Sequence, residues 1–236
     1  MTDAADFRSE FLRGMRVFVP LAISIAAYGL VWGVLAGQAG LSLGEVALMS
    51  GLVYAGASQF VALQLWTPAA LPIGAIVLAV AIVNLRLMLM SATLRPLFAS
   101  MPKWRALIAM FLVSDEGWAL TIAEMNKARG TIAFFLGTGA ACWLSWTLPT
   151  TIGRMIGSAI SDPTAYGFDF AFIATFIALL LGMWQGRASI LPWLVAALVA
   201  IATAKLVPGH WYVIAGGLAG SFAGAVAETM RRRDVA

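Results

Sequence analysis

Residues 71–94 read LPIGAIVLAVAIVNLRLMLMSATL. The stretch carries one charged side chain, Arg86, and is otherwise dominated by aliphatic residues. A helix needs roughly 20 mostly apolar residues to cross the hydrocarbon core of a bilayer, and this stretch is long enough to do so. It therefore predicts a transmembrane helix and, with it, an all-α membrane fold.

The whole chain resembles this stretch in composition. Of its 236 residues, 61% are hydrophobic and 11% are charged, whereas a soluble domain is nearer half apolar and one quarter charged. Because the excess can be buried only against lipid, we expect one transmembrane domain over residues 1–236, with a cytoplasmic tail at 1–15 and a basic tail at 231–236. The net charge of +4 does not indicate nucleic-acid binding, since the basic residues cluster at segment ends.

Apolar stretches of similar length recur along the chain and predict a polytopic helical bundle of seven or eight hydrophobic segments. The candidate segments are 16–36, 45–66, 71–94, 105–124, 131–152, 168–187, 189–207 and 211–230.

The positions of the basic residues limit how many segments cross the membrane. Eight crossings would place Arg95, Lys103 and Arg105 outside, and seven would place the basic tail outside, both against the positive-inside rule. Re-entrant segments would ease this conflict. The best candidates are 45–66 and 105–124, because polar or helix-disfavouring residues lie in their middles, where broken backbone must be surrounded by protein or water.

Glycine spacing indicates how the helices pack. Two ladders repeat every four residues, a spacing that lets helix backbones approach closely in lipid. They are Gly29, Gly33 and Gly37, and Gly216, Gly220 and Gly224. We interpret them as packing faces, with a sliding face as the alternative. A weak internal repeat is also possible on the sequence, since the glycine motifs at 33–42 and 153–162 each precede a short loop.

The first polar cluster is YAGASQF, residues 54–60, in the second segment. Gly56 lowers the cost of opening the helix there. Opened backbone would offer N–H and C=O groups to a zwitterionic solute, and Gln59 could add a donor and an acceptor. We predict that Tyr54, Gly56, Ser58 and Gln59 bind the substrate, with a polar helix–helix contact as the alternative.

The second polar cluster is Asn84-Leu-Arg86. Arg86 lies only about 5 Å from the middle of its segment at 1.5 Å per residue, where a charge costs about 2.5–3.5 kcal/mol on insertion scales. We predict that Arg86 pairs with a substrate carboxylate or an acidic side chain, snorkelling being the alternative. We predict that Asn84 and Arg86 both bind substrate. Because residues two apart point in nearly opposite directions on a helix, this requires that the helix breaks or that the two residues serve different partners.

The third polar cluster is the adjacent pair Asp115 and Glu116, in the middle of the fourth segment. One arginine can neutralise only one of two carboxylates, and the other is then a candidate proton carrier. We predict that Asp115 and Glu116 serve proton coupling. The alternatives are that both acids are structural, or that this segment is not embedded in the membrane.

Neither a metal site nor a cofactor is expected. The chain has one histidine, His210, and one cysteine, Cys142, too few for a typical metal centre. The serine of YAGASQF lacks the flanking glycines of a nucleophile elbow, and the sequence offers no convincing nucleophile–base pair. We therefore expect a transporter and not an enzyme.

The three clusters resemble the AzlC family of branched-chain amino acid permeases. The resemblance covers roughly residues 14–205. Its most specific pieces are Ser50 with YAGASQF, Asn84-Leu-Arg86 and Asp115-Glu116. The family usually has phenylalanine where Tyr54 stands, and a histidine commonly follows the Asn-x-Arg motif where this chain has Leu87.

The resemblance implies a large exporter subunit for valine, leucine, isoleucine and sometimes methionine. It also implies a bacterial cytoplasmic (inner) membrane location, use of the proton-motive force, and a small hydrophobic partner of the AzlD type. Two alternatives to an exporter remain compatible with the sequence. One is a passive channel for a small solute, and the other is an assembly subunit whose partner holds the transport path.

Overall fold

The computed structural model describes residues 4–67, 71–157, 177, 181, 184, 186–207 and 211–233. Within these residues the chain is helical and contains no β-strand, so the all-α prediction is confirmed. The helices are α1 Ala4–Gln38, α2 Leu43–Leu48, α3 Gly56–Gln64, α4 Ile73–Thr93, α5 Lys103–Met110, α6 Asp115–Asn126, α7 Ile132–Gly157, α8 Ile190–Leu206 and α9 Trp211–Arg233. A π-helix at Met49–Val53 and 3-10 helices at Arg95–Phe98 and Gly186–Ser189 complete the described elements.

Four stretches of helix are long and apolar enough to span a membrane. They are Asp6–Gln38, Ile73–Thr93, Ile132–Gly157 and Gly186–Leu206. The predicted segments 45–66 and 105–124, the two candidates for re-entrant segments, are broken into shorter helices. The predicted segment 168–187 lies largely outside the described residues.

Helices α1 and α7 pack side by side and run in the same direction. Phe134 meets Gly14 near the start of α1, and Arg154 meets Gly37 near its end. The backbones approach so closely that a Cβ atom at Gly33 would collide with the main chain of α7. The interpretation of the glycine ladder in α1 as a packing face is therefore confirmed.

The second glycine ladder serves the same purpose between α8 and α9. Gly216 and Gly220 lie against Ala196, and Gly224 lies against Pro192. The order of these contacts shows that the two helices are antiparallel. Packing is again the role of the ladder.

The two glycine motifs of the suggested repeat meet at the α1–α7 interface. Gly33 lies against Thr150 and Arg154, and Gly153 lies against Leu30. Equivalent motifs on parallel helices thus face each other. The second motif continues past Gly157 into residues outside the described part, and the repeat itself stays a prediction.

Residues 43–64, called hairpin A, fold as two short arms that turn back inside the bundle. One arm is α2 with the π-helix and the other is α3. At about 1.5 Å per residue each arm is roughly 13–16 Å long, half of the ~30 Å hydrocarbon core. Beyond the tip, Gln59 of the second arm lies back against Ser50 of the first, to which its side chain donates a hydrogen bond, and Trp66, just after α3, lines a groove that reaches to Leu41. Both arms therefore start and finish at the same end of the bundle.

Residues 103–126, called hairpin B, repeat this arrangement from the opposite end. Its arms are α5 and α6, joined by residues 111–114. Phe98, before α5, packs against Phe135 near the start of α7, with ring centroids 5.4 Å apart, and Glu124, near the end of α6, pairs with Arg13 near the start of α1. The second hairpin thus also returns to the end from which it enters.

An ionic cluster fixes the outer end of hairpin B to α1. Arg13 Nη1 lies 2.7 Å from Glu124 Oε2, and Arg13 Nη2 lies 2.7 Å from Glu10 Oε2. Lys127 Nζ lies 3.1 Å from the other oxygen of Glu124. At the opposite end of the bundle, the Arg154 side chain donates to the Leu41 carbonyl over 2.6 Å, next to the entry of hairpin A. The two hairpins therefore enter from opposite ends of α1 and α7.

Candidate functional site

The tips of the two hairpins meet inside the bundle and border a cavity of about 80 Å³. The ring centroids of Tyr54 in hairpin A and Phe111 in hairpin B are 5.8 Å apart. A cavity needs ~10–15 Å³ of such volume to hold one water, so this cavity has room for roughly five to eight waters, which is the size range of a small organic solute. Its lining residues are Ile25, Tyr28, Tyr54, Ala55, Gly56, Ala57, Arg86, Leu87, Val113, Ser114, Asp115, Glu116, Cys142 and Trp146.

Hairpin A opens its backbone at Tyr54 and Ala55. Tyr54 has φ 47° and ψ 49°, a left-handed conformation that is uncommon for a bulky residue, and it ends the π-helix. Ala55, with φ −141° and ψ 79°, precedes α3 and gives it no side-chain cap. Since the first N–H groups of a helix have no partner within it, the N-terminal end of α3 presents backbone donors beside the cavity.

A buried hydrogen-bond network holds this opened backbone in place. Gln59, which is fully buried, accepts from Trp146 Nε1 over 2.9 Å and from the Ala55 N–H over 3.3 Å. Its amide nitrogen donates to Ser50 Oγ over 3.3 Å. Trp146 packs closely against Gly56, where a Cβ atom would lie 3.1 Å from its ring. The network therefore sets both the conformation of the tip and the position of the tryptophan wall.

The charged wall of the cavity comes from α4 and the tip of hairpin B. Arg86 Nη2 lies 2.9 Å from Asp115 Oδ2, with the two side chains 33% and 39% exposed. Asp115 and Glu116 form the first turn of α6, whose N-cap is Ser114. Carboxylates are favoured at that position by the helix dipole. The predicted pairing of Arg86 with an acidic side chain is therefore confirmed, and Asp115 is that partner.

Glu116 differs from Asp115 in having no ion-pair partner among the described residues. It lines the same cavity beside the Arg86–Asp115 pair. One cation thus faces two adjacent carboxylates, of which only one is paired. This is the arrangement that the two-acid motif predicted.

The predicted site residues divide into two groups. Tyr54, Gly56, Arg86, Asp115 and Glu116 line the cavity. The remaining three lie elsewhere, and their contact with substrate stays a prediction without support from the cavity.

Those three residues have other surroundings. Ser58 is buried and donates from Oγ to the Ala55 carbonyl over 2.8 Å, and Gln59 lies behind the wall in the network described above. Asn84 is half-buried on α4, which continues unbroken from Ile73 to Thr93. Because the helix does not break, Asn84 points away from the face that carries Arg86.

Sequence reasoning missed Tyr28, Trp146 and Cys142, which line the cavity from α1 and α7. Tyr28 stands alone in an apolar run, so no motif drew attention to it. Tryptophans near segment ends are typical interface anchors, whereas Trp146 lies well inside α7. Its distance from both ends of that helix is the signal that distinguishes it from an anchor.

Within the described part of the chain, no group of three or more His, Cys, Asp and Glu side chains is arranged to hold a metal ion. The cavity chemistry is accordingly that of one guanidinium, two carboxylates, two phenols and opened backbone. Such groups bind solutes that carry both charges.

Long apolar helices around an internal charged cavity define an integral membrane protein with a polar core. The family described as AzlC protein matches residues 20–160, more than half of the chain. The protein therefore belongs to the AzlC family, and the resemblance given by the three polar clusters is confirmed.

Several known proteins are similar over most of the chain. An Escherichia coli (strain K12) protein, Inner membrane protein YgaZ, is 28% identical over 189 residues, covering 77% of this chain and 76% of the relative. A membrane protein of Archaeoglobus fulgidus is 30% identical over 180 residues, covering 75% and 77%. The Branched-chain amino acid transport protein AzlC of Bacillus subtilis (strain 168) is 25% identical over 219 residues, covering 90% and 84%. No solved structure matches the chain.

Proposed function

We propose that the protein is the large subunit of a proton-coupled exporter of branched-chain amino acids, acting on valine, leucine, isoleucine and methionine. The observation that carries this proposal is the cavity between the hairpin tips, where the Arg86–Asp115 pair stands beside unpaired Glu116. The name of the Bacillus subtilis relative, a branched-chain amino acid transport protein, supports the substrate class.

The cavity offers a complementary group for each part of such a solute. Arg86 and the backbone donors of α3 suit a carboxylate, and Glu116 suits an ammonium group. Apolar walls from Ile25, Leu87 and Val113 suit an aliphatic side chain. Tyr54 and Gly56 border the opened backbone and complete the solute site.

Proton coupling is assigned to the acidic pair. Asp115 already has a cation, whereas Glu116 must either find another or bind a proton when it faces a cavity without water. Glu116 is therefore the proton carrier and Asp115 the residue that holds Arg86. Export follows if the proton enters through the site as the amino acid leaves.

The hairpins bear on the number of crossings. If neither hairpin crosses the membrane, the eight apolar segments give six crossings, with segment 168–187 taken from the sequence as one of them. Lys103 and Lys127, at the two ends of hairpin B, then lie on the cytoplasmic side with Arg13. The basic C-terminal tail also returns to that side, in accord with the positive-inside rule.

This topology is tested by cysteine labelling from each side of the membrane. In a Cys142→Ala background, Lys103→Cys and Lys127→Cys should both react with an impermeant maleimide from the cytoplasmic side. Gly44→Cys, at the entry of hairpin A, should react from the opposite side. Labelling of the two lysine positions from different sides would show that hairpin B crosses.

The location is the bacterial cytoplasmic membrane, and the expected partner is a small hydrophobic subunit of the AzlD type. Exposed aliphatic side chains on α4 and α8 provide surface for lipid or for such a subunit. Co-purification of the two chains from detergent, and dependence of transport on both, would support the pairing.

The function is tested by uptake of labelled leucine into inside-out membrane vesicles, with and without the partner and with and without a proton gradient. Gradient-driven accumulation by the wild type, lost in Arg86→Ala that still reaches the membrane, is the expected result. Flux that equilibrates without responding to the gradient would instead indicate a passive channel. Absence of flux for every branched-chain amino acid and methionine, with the partner present, would overturn the substrate class.

A further inference from the structure

Three buried side-chain polar atoms have no hydrogen-bond partner among the described residues. They are Tyr28 Oη, Trp32 Nε1 and Arg86 Nε. Tyr28 and Arg86 line the cavity between the hairpin tips, and Trp32 does not. Buried polar groups are nearly always hydrogen-bonded, so two missing partners in one cavity point to a ligand that supplies them.

The chemistry of Arg86 determines what the missing partner must be. Its Nη2 is already engaged by Asp115, which leaves the Nε–H directed elsewhere. A guanidinium has donors and no acceptor, so the group that satisfies this nitrogen must be an acceptor. A carboxylate has two acceptor oxygens and can satisfy two donors at once.

Tyr28 is held rigidly enough to serve as the second donor. Its ring centroid lies 4.7 Å from that of Phe60 and 5.7 Å from that of Trp146. Aromatic packing on these sides restricts movement of the phenol. Because Tyr28 comes from α1 and Arg86 from α4, the two donors approach the cavity from different helices.

We propose that the Tyr28 hydroxyl and the Arg86 Nε–H together bind the carboxylate of the transported solute. This inference rests on the proposed function and makes Tyr28 a substrate-binding residue of that site. The other end of a zwitterionic solute, its ammonium group, then lies toward Glu116. Recognition of both ends selects free α-amino acids over their amides and esters.

The experiment compares leucine with leucinamide as competitors for uptake of labelled leucine in wild type, Tyr28→Phe and Arg86→Lys. Removing a hydrogen bond to a charged group weakens binding by about tenfold or more. Tyr28→Phe should therefore raise the KM for leucine about tenfold, while the inhibition constant of leucinamide changes by less than about threefold. Arg86→Lys keeps a cation beside Asp115 but lacks the Nε–H, and it should show the same selective loss.

Trp32→Phe is the matched control, because it also removes a partnerless buried N–H but one outside the cavity. It should alter leucine and leucinamide to the same extent. If Tyr28→Phe weakens both competitors equally, or neither, while the wild type still transports leucine, the role of Tyr28 is overturned and the proposed function stands. If the wild type transports no amino acid, both proposals fail.

Discussion

Arg86 Nη2 lies 2.9 Å from Asp115 Oδ2, and this ion pair joins the middle of α4 to the tip of hairpin B. It connects a predicted membrane-spanning helix to a hairpin whose outer end is fixed to α1 through Arg13 and Glu124. Any movement of the hairpin tip relative to α4 must stretch or break this pair. The pair is thus placed to link events in the cavity to the position of hairpin B.

The first prediction concerns this pair as a unit. Arg86→Ala and Asp115→Asn should each lower gradient-driven leucine uptake by about tenfold or more, because each leaves the remaining partner misplaced in the cavity. The double variant should be no worse than the more damaging single variant, since groups that act together have non-additive effects. If the loss of uptake in the double variant equals the product of the two single losses, the two residues act independently.

The second prediction separates coupling from binding. Glu116→Gln keeps the size of the side chain but cannot release a proton, so accumulation driven by a proton gradient should be lost. Exchange of labelled for unlabelled leucine across the membrane requires no net proton movement and should remain at saturating leucine, with a raised KM because the carboxylate that faces the solute ammonium group is lost. The two rates are measured on the same vesicles.

Glu45→Gln is the control for Glu116→Gln. Glu45 is an exposed carboxylate that completes a capping box with Ser42 at the start of α2, and glutamine can take the same capping position. This variant should retain both accumulation and exchange. If Glu116→Gln also retains gradient-driven accumulation, the proton carrier lies elsewhere.

Much of the fold is predictable from the sequence because hydrophobic length and small-residue spacing are local properties. The glycine ladders in α1 and α9 identify close helix contacts without any knowledge of the partner helix. The breaks at residues 54–55 and 111–114 are also indicated locally, by glycine and by adjacent carboxylates in apolar surroundings. The ladders do not identify the helix against which each one packs, and only the structure shows that α1 pairs with α7 in parallel.

The candidate site is predictable only where polarity makes a residue conspicuous. Arg86, Asp115 and Glu116 stand out because charge is costly in a membrane, and all three line the cavity. Gln59 stands out for the same reason, yet its hydrogen bonds go to Trp146 and Ser50. Polarity shows that a buried group needs hydrogen-bond or ion-pair partners. It does not show whether those partners belong to the protein or to the solute. Tyr28 shows the converse, since an aromatic residue in an apolar helix gives no local sign of its missing hydrogen bond.

The third prediction tests the close packing of α1 against α7. Gly33→Ala should lower the free energy of unfolding by about 1–3 kcal/mol, the usual cost of overpacking, because the added methyl group collides with the Thr150 carbonyl oxygen. Gly217→Ala in α9 is the matched control, since a Cβ atom there has no neighbour within 4 Å. It should be neutral or slightly stabilising, as alanine favours the helix. Thermal unfolding in detergent measures both, and equal effects would argue against a tight α1–α7 interface.

The last prediction uses Cys142, which is the single cysteine of the chain. It is 4% exposed and lines the cavity, so a small reagent that enters the cavity meets its thiol. Methyl methanethiosulfonate, which is small and neutral, should inhibit leucine uptake slowly, because the added S-methyl group occupies space needed by the solute. Leucine should slow this inhibition several-fold, and Cys142→Ala should transport leucine and resist the reagent. A wild type that is modified at the same rate with and without leucine, as followed by mass spectrometry, would place the solute outside this cavity. If leucine protects Cys142 from modification and leucinamide does not, the protein must bind the solute carboxylate while the solute fills the cavity.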